Sequence, residues 1–297
     1  MNQDSEMDID DALRKVGDFG RCQKIYVTAT LVGYSVIGSV IMCLGIFTLY
    51  VNAPGKPHIS TAYDEFGMSE FESHLCTSAI MLGVLVGNAV TGGLTDNYGR
   101  LKIAKIMMPL SILSSALAGV ICPNWKVYLI WKFLSGFVNG AMTVSCTVLA
   151  LELSGPAYWA RLNILAALSF AFGICYLAVV AFFVNSWRYL HIVSMLPCVP
   201  FYFLMARLPE SHLWFYSKGD TESAMDSLYK IGELNKTQRN RYEDLRLKQP
   251  TVSRDNKDTL GSLLKSPILA KRLAIMMWTW FVNSLVYYGL TLEIGSF

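Results

Sequence analysis

Residues Leu75–Thr95 form a run of 21 residues without one formal charge. As a helix, such a run can cross a bilayer, which takes ~20 apolar residues, and a helix in lipid satisfies its own backbone hydrogen bonds. A second apolar run, Ile106–Cys122, follows after a polar turn, Asp96-Asn97-Tyr98-Gly99-Arg100-Leu101-Lys102. The two runs are therefore predicted to make a helical hairpin through a membrane. Gly99 permits the sharp reversal because a residue without Cβ tolerates positive φ. Asp96 stands where the first helix ends and can accept guanidinium or backbone donors. Arg100, Lys102 and Lys105 collect positive charge at this end, which is expected to be cytoplasmic.

Composition agrees with an integral membrane protein. Of 297 residues, 53% are hydrophobic and only 16% charged, against ~25% charged in ordinary soluble domains. The net charge of +3 carries no nucleic-acid signal. Asp4, Glu6, Asp8, Asp10 and Asp11 make the start acidic, the reverse of a cleavable signal peptide. The seven cysteines show no CxxC spacing and the four histidines are scattered, so neither a disulfide framework nor a metal site is indicated. No nucleophile or cofactor motif supports an enzyme, and no cofactor is expected.

The fold expected is all-α and polytopic. Residues 1–24 read as a cytoplasmic tail and 25–206 as a six-helix transmembrane bundle, its sixth span interrupted by Pro197 and Pro200. Residues 207–270 read as a cytoplasmic amphipathic linker, and 271–297 as a seventh, truncated transmembrane helix. Orientation follows from basic residues near the span ends. The segment 207–272 holds 13 Lys or Arg against 9 acids, whereas the intervening loops hold only Lys56, Lys126 and Arg188. The N-terminus and Lys102 are thus expected inside and Glu65 outside. Seven spans also suit a G-protein-coupled receptor, but that class keeps its N-terminus outside. In the linker, Asp220 or Thr221 can cap a helix with Ala224, Leu228 and Ile231 on one face. Further helices are predicted around Tyr242 and Leu245 and from Asp258 or Thr259. The sequon Asn235-Lys236-Thr237, lying inside, is expected to carry no glycan.

Several residues stand out by chemistry. Gly83-x-x-x-Gly87 and Gly136-x-x-x-Gly140 suit close helix packing. Lys132 is the one clear charge inside the fourth span, where a lysine costs ~2.5–3.5 kcal/mol on insertion scales. It can face a water-filled cavity or snorkel to the outer surface. Glu152 and Arg161 flank the loop after that span, on the side of Asp96 and Arg100. Together with Glu210 they form a cluster of opposite charges, which solvation alone also explains.

Gly92-x-x-x-Asp96-x-x-Gly99-Arg100 resembles the signature loop between helices 2 and 3 of the major facilitator superfamily, with Asn97 where a basic residue is usual. Trp131-Lys132-Phe133-Leu134-Ser135-Gly136 is similar to that family's Arg-Phe-x-x-Gly motif, with Lys for Arg. Glu152 to Arg161, Trp187-Arg188 and Pro209-Glu210-Ser211 resemble the organic cation and organic anion transporters within it, with sugar porters close behind. Here Pro-Glu-Ser continues as His212-Leu213-Trp214 rather than Pro-Arg-Trp, and the loop 51–74 is short and lacks that family's cysteines.

The resemblance covers about residues 20–297 and implies the first seven of twelve helices: a six-helix half of two inverted three-helix repeats, plus helix 7. It implies a transporter of small organic ions in the plasma membrane, working by alternating access. Asp96, Gly99, Arg100, Glu152, Arg161 and Glu210 would be its cytoplasmic gate. Lys132, Asn139, Trp280 and Tyr287 would be its substrate cavity, the two aromatic residues sharing one helical face and offering π surfaces to a cation. The partners expected are the lipid bilayer, the organic ion, and either a second copy of the chain or a missing C-terminal half. The alternative is a truncated product that transports nothing and acts by association.

Overall fold

Side-chain caps set the starts of several of the helices. The computed structural model describes residues 7–50, 60–238, 246–249 and 266–293. In chain order its helices are α1 (Ile9–Val16), α2 (Thr28–Tyr50), α3 (Ala62–Phe66), α4 (Glu70–Tyr98), α5 (Arg100–Val120) and α6 (Trp125–Glu152). They continue as α7 (Trp159–Phe183), α8 (Trp187–Val193), α9 (Val199–Met205), α10 (His212–Ser217), α11 (Thr221–Asn235) and α12 (Pro267–Glu293). Ser69 and Glu72 form a reciprocal capping box at the start of α4. The Asn124 side chain caps α6 and Asp220 caps α11. Among the described residues there is no named strand, and two isolated backbone bridges join Met7 to Leu247 and Ser60 to Ser186.

Among the described residues, six helical segments are long and apolar enough to cross a membrane: Gln23–Leu44, Glu70–Tyr98, Arg100–Val120, Trp125–Glu152, Pro156–Phe183 and Trp187–Met205. The shortest has 19 residues, which as an α-helix would rise ~28 Å, close to the ~30 Å hydrocarbon thickness. That segment is the proline-interrupted one, and a 3-10 turn at Leu196–Cys198 separates α8 from α9. Proline lacks the N–H that would continue the ladder. Leu85, Leu113, Phe172 and Phe183 stand exposed on the outside of the bundle, as lipid-facing side chains do.

The glycine pairs explain the closest helix contact. A Cβ on Gly83 would overlap the Phe133 carbonyl oxygen, and one on Gly87 that of Phe137. Reciprocally, a Cβ on Gly136 would overlap the carbonyl oxygen of Ile80, and one on Gly140 would come within 2.6 Å of that of Val84. Helices α4 and α6 thus meet backbone to backbone through small residues on both sides.

The N-terminal stretch differs from a polar tail. Ile9–Val16 is a helix capped by Asp8, and Ile9, Ala12, Leu13 and Val16 are buried in one apolar cluster with Ala224, Leu228 and Ile231 of α11. Its acids and bases lie on the other face, where they stay hydrated. In α11 the expected cap and apolar face are present. Asn235 at its end accepts a hydrogen bond from Cys22 N (2.7 Å) and donates to the Gly17 carbonyl (2.8 Å), while Thr237 donates to the Val16 carbonyl (2.7 Å). The predicted helices around Tyr242 and from Asp258 lie outside the described residues.

Residues 1–250 form one unit and 251–297 another. In the second, α12 is a single 27-residue helix with no charge from Leu273 to Leu292.

Candidate functional site

At one end of the bundle, α4 arrives and α5 leaves through Gly99. Arg100, the first residue of α5, is 12% exposed and is held on three sides. Its Nε donates to both oxygens of Glu152 (3.2 and 3.1 Å), its Nη2 pairs with Asp96 (3.0 Å), and its Nη1 donates to the Thr95 carbonyl (3.0 Å). One guanidinium therefore joins the ends of α4, α5 and α6. Its planar fork suits this task better than an ammonium would. The Glu152 side chain is 18% exposed, while that of Asp96 is 69% exposed and remains open to other partners.

Glu210 completes the cluster from the segment after α9. Its carboxylate accepts from Leu101 N (2.7 Å), Lys102 N (3.2 Å) and Ser211 N (3.1 Å). The first amides of α5 have no partner within the helix, and the helix dipole favours a negative charge there. Gly99 precedes α5 and offers no side chain to cap it, so Glu210 supplies the missing cap from 109 residues away. Gly99 has φ 101° and ψ 151°, and a Cβ there would lie 2.5 Å from the Glu210 Oε2. Trp214 Nε1 donates to the Asp96 carbonyl (2.8 Å), and Ser227 of α11 donates to the Glu210 carbonyl (2.5 Å). The linker is thereby fastened to the same turn.

Arg161 does not join this cluster. It is exposed at the start of α7, its guanidinium 5.7 Å from the ring of Tyr158, which stacks on Phe19. The loop chemistry alone suggests a partner for it, but Arg161 comes after the 3-10 turn Pro156–Tyr158, two residues into α7.

The opposite end carries a second ion pair. Glu65 of α3 accepts from Arg188 Nη2 (2.5 Å) and from Trp187 Nε1 (2.7 Å), and Arg188 also donates to the carbonyls of Gly119 and Cys122. Hydrogen bonding from Arg188 holds the Glu65 carboxyl below the usual carboxylate range. The sequence shows Glu65 only as one loop acid among several, since nothing in its spacing points to residue 188.

Lys132 is 2% exposed, inside the six-helix half. It neither snorkels nor lies on an open face. Its ammonium stands 4.7 Å from the centroid of Tyr128, whose ring packs edge-on against Trp187 and His191. Among the described residues it forms no ion pair. A desolvated cation–π contact contributes ~2 kcal/mol, which offsets much of the insertion cost. Asn139, 3% exposed, is likewise enclosed, near Gly38 of α2, and its Oδ1 has no hydrogen-bond partner among the described residues. Both residues thus face the interior of the half. Trp280 and Tyr287 lie on α12, in the second unit, seven residues apart on one face.

Residues 22–292 match the family described as "Sugar (and other) transporter". The "Solute carrier family 22 member 15-like" protein of Xenopus tropicalis is 30% identical over 98% of this chain and 63% of its own length. The "Organic cation transporter-like protein" of Drosophila melanogaster is 29% identical over 79% of this chain and 44% of its own. The chain therefore spans about half to two-thirds of these relatives. The proton:xylose symporter XylE shares the fold, with a TM-score of 0.55 at 18% identity, covering 75% of this chain and 52% of that one. With this match across nearly its whole length, the chain belongs to the sugar (and other) transporter family.

Proposed function

We propose that this chain provides the first six-helix half and the seventh helix of a transporter that moves small organic ions by alternating access. The observation that carries the reading is the enclosed Arg100, shared by Glu152 and Asp96 beside a helix start capped by Glu210. It ties three membrane helices and the linker into one body at one end. Rocking of two halves about a midplane site needs each half to move as a unit. The exposed Asp96 carboxylate and the Tyr98 ring, 57% exposed, are the groups at that end free to meet a second half. The organic ion class follows the names of the relatives. The basic end, with the N-terminus, is assigned to the cytoplasm by its Lys and Arg excess. Trp280 and Tyr287 are assigned to the cavity as π surfaces for an organic cation. Lys132 and Asn139, being enclosed, are assigned to holding the half together.

The test joins this chain to the remaining length of the Xenopus tropicalis relative and compares it with the 297 residues alone in reconstituted vesicles. The joined chain is expected to take up labelled tetraethylammonium or a labelled aromatic carboxylate saturably, and the 297 residues alone neither. Saturable uptake by the 297 residues alone would overturn the need for two halves. A joined chain that reaches the membrane and moves neither ion would overturn the organic ion assignment.

A further inference from the structure

A cavity of about 510 Å3 lies at the Gly99 end, between the first turns of α5, the segment after α9, and α11. Its floor is apolar: Leu101 and Leu208 are buried, with Leu234 beside them. Its lining carries three cations from three separate elements, Lys105, Arg207 and Lys230. Among the described residues none of the three forms an ion pair, and none donates a side-chain hydrogen bond. Two carboxylates also line the cavity. Glu210 is spent on the backbone amides of Leu101, Lys102 and Ser211, which leaves Glu233 as the one acid facing three unpaired bases.

Position adds to the chemistry. Lys105 lies on the second turn of the membrane-crossing α5 and is half-buried, and Arg207 comes two residues after α9 ends. The cavity therefore opens at the level where hydrocarbon gives way to water. A basic rim over an apolar floor at that depth matches a ligand with a phosphate head and an acyl body.

We infer that this cavity binds the phosphate of an anionic glycerophospholipid, with Lys105, Arg207 and Lys230 around the phosphate and the acyl-bearing end over Leu101 and Leu208. Inorganic phosphate offers the same anion without the body, so the test separates the two sources.

The purified chain in detergent is titrated with phosphatidylglycerol, phosphatidylcholine of the same acyl chains, or inorganic phosphate, and bound lipid is counted by native mass spectrometry. Phosphatidylglycerol is expected to bind more tightly than phosphatidylcholine. Lys105→Gln and Arg207→Gln should each weaken it about fivefold, the effect of one basic residue near an anionic group. Glu233→Gln should strengthen it, a gain that a folding defect cannot produce, and Lys218→Gln, outside the cavity, should leave it unchanged. Equal binding of the two lipids, or weakening by Glu233→Gln, would overturn the inference. Displacement of phosphatidylglycerol by inorganic phosphate would overturn the lipid assignment in favour of free phosphate.

Discussion

Gly99 has two independent reasons to be glycine, and they can be measured against a neighbour that has neither. Its φ of 101° with ψ of 151° lies in a region essentially closed to other residues, and a Cβ would press on the Glu210 carboxylate that caps α5. Gly93, inside α4, would meet nothing within 4 Å. Gly99→Ala is therefore expected to destabilise the protein by ~1–3 kcal/mol, and Gly93→Ala to be neutral or to stabilise by ~0.5–1 kcal/mol. Thermal unfolding of the two variants in detergent checks this, and equal midpoints would deny Gly99 its role. His212 gives a pH effect at the same scale. It is fully buried, neither ring nitrogen has a partner among the described residues, and burial lowers its pKa to about 4. An unfolded histidine, at about 6.5, binds the proton first. Stability from this group is therefore complete above pH ~6.5 and is lost as pH falls toward 4. His212→Phe should flatten the acid limb of the unfolding midpoint in that window, and an unchanged limb would place the imidazole in water. The charged turn itself is legible in the sequence, because glycine, acid and arginine stand side by side. The role of Glu210 as a cap is not, because only the return of the chain after α9 brings it there.

At the scale of elements, the sequon is the instructive case. Asn235-Lys236-Thr237 reads as a glycosylation signal that topology keeps silent, whereas the structure uses both polar side chains to bind α11 to the turn between α1 and α2. Asn235→Gln keeps the amide but shifts it by a methylene, and is expected to destabilise by ~1–3 kcal/mol through part-buried groups left unpaired. Thr237→Ala, which also destroys the sequon, removes a single hydrogen bond and should cost ~1 kcal/mol. If the glycan were what matters, the two variants would behave alike and glycosidase would change the mobility of the parent chain. No mobility change and a larger loss for Asn235→Gln are expected. The linker helix is legible from its cap and its apolar positions, but its partner α1 is harder to see. Ile9, Ala12, Leu13 and Val16 have helical spacing, yet they sit among acids that on composition alone read as a solvated tail. What makes them a packed element is the apolar face of α11, more than 200 residues later in the chain.

At the scale of the molecule, the six crossings are legible because uncharged runs of this length have few alternatives in or out of lipid. Proline in the last of them also reads correctly as a break. The side to which Lys132 turns is not legible, since a helical charge can point to a cavity, to the surface or to an aromatic cage with equal spacing. The fold sets the Tyr128 ring, itself packed against Trp187 and His191, beside the ammonium and so decides the matter. The central claim is that the Arg100 cluster lies on the cytoplasmic side of the membrane, because only there can it act as the inner gate of a transporter half. Single cysteines at the exposed positions Glu70 and Lys102 test it, in a chain whose two cysteines that are not buried, Cys43 and Cys175, are replaced by serine. In intact cells an impermeant maleimide is expected to label the cysteine at 70, and to reach the one at 102 only after permeabilisation. Labelling at 102 and not at 70 would invert the bundle and contradict the gate.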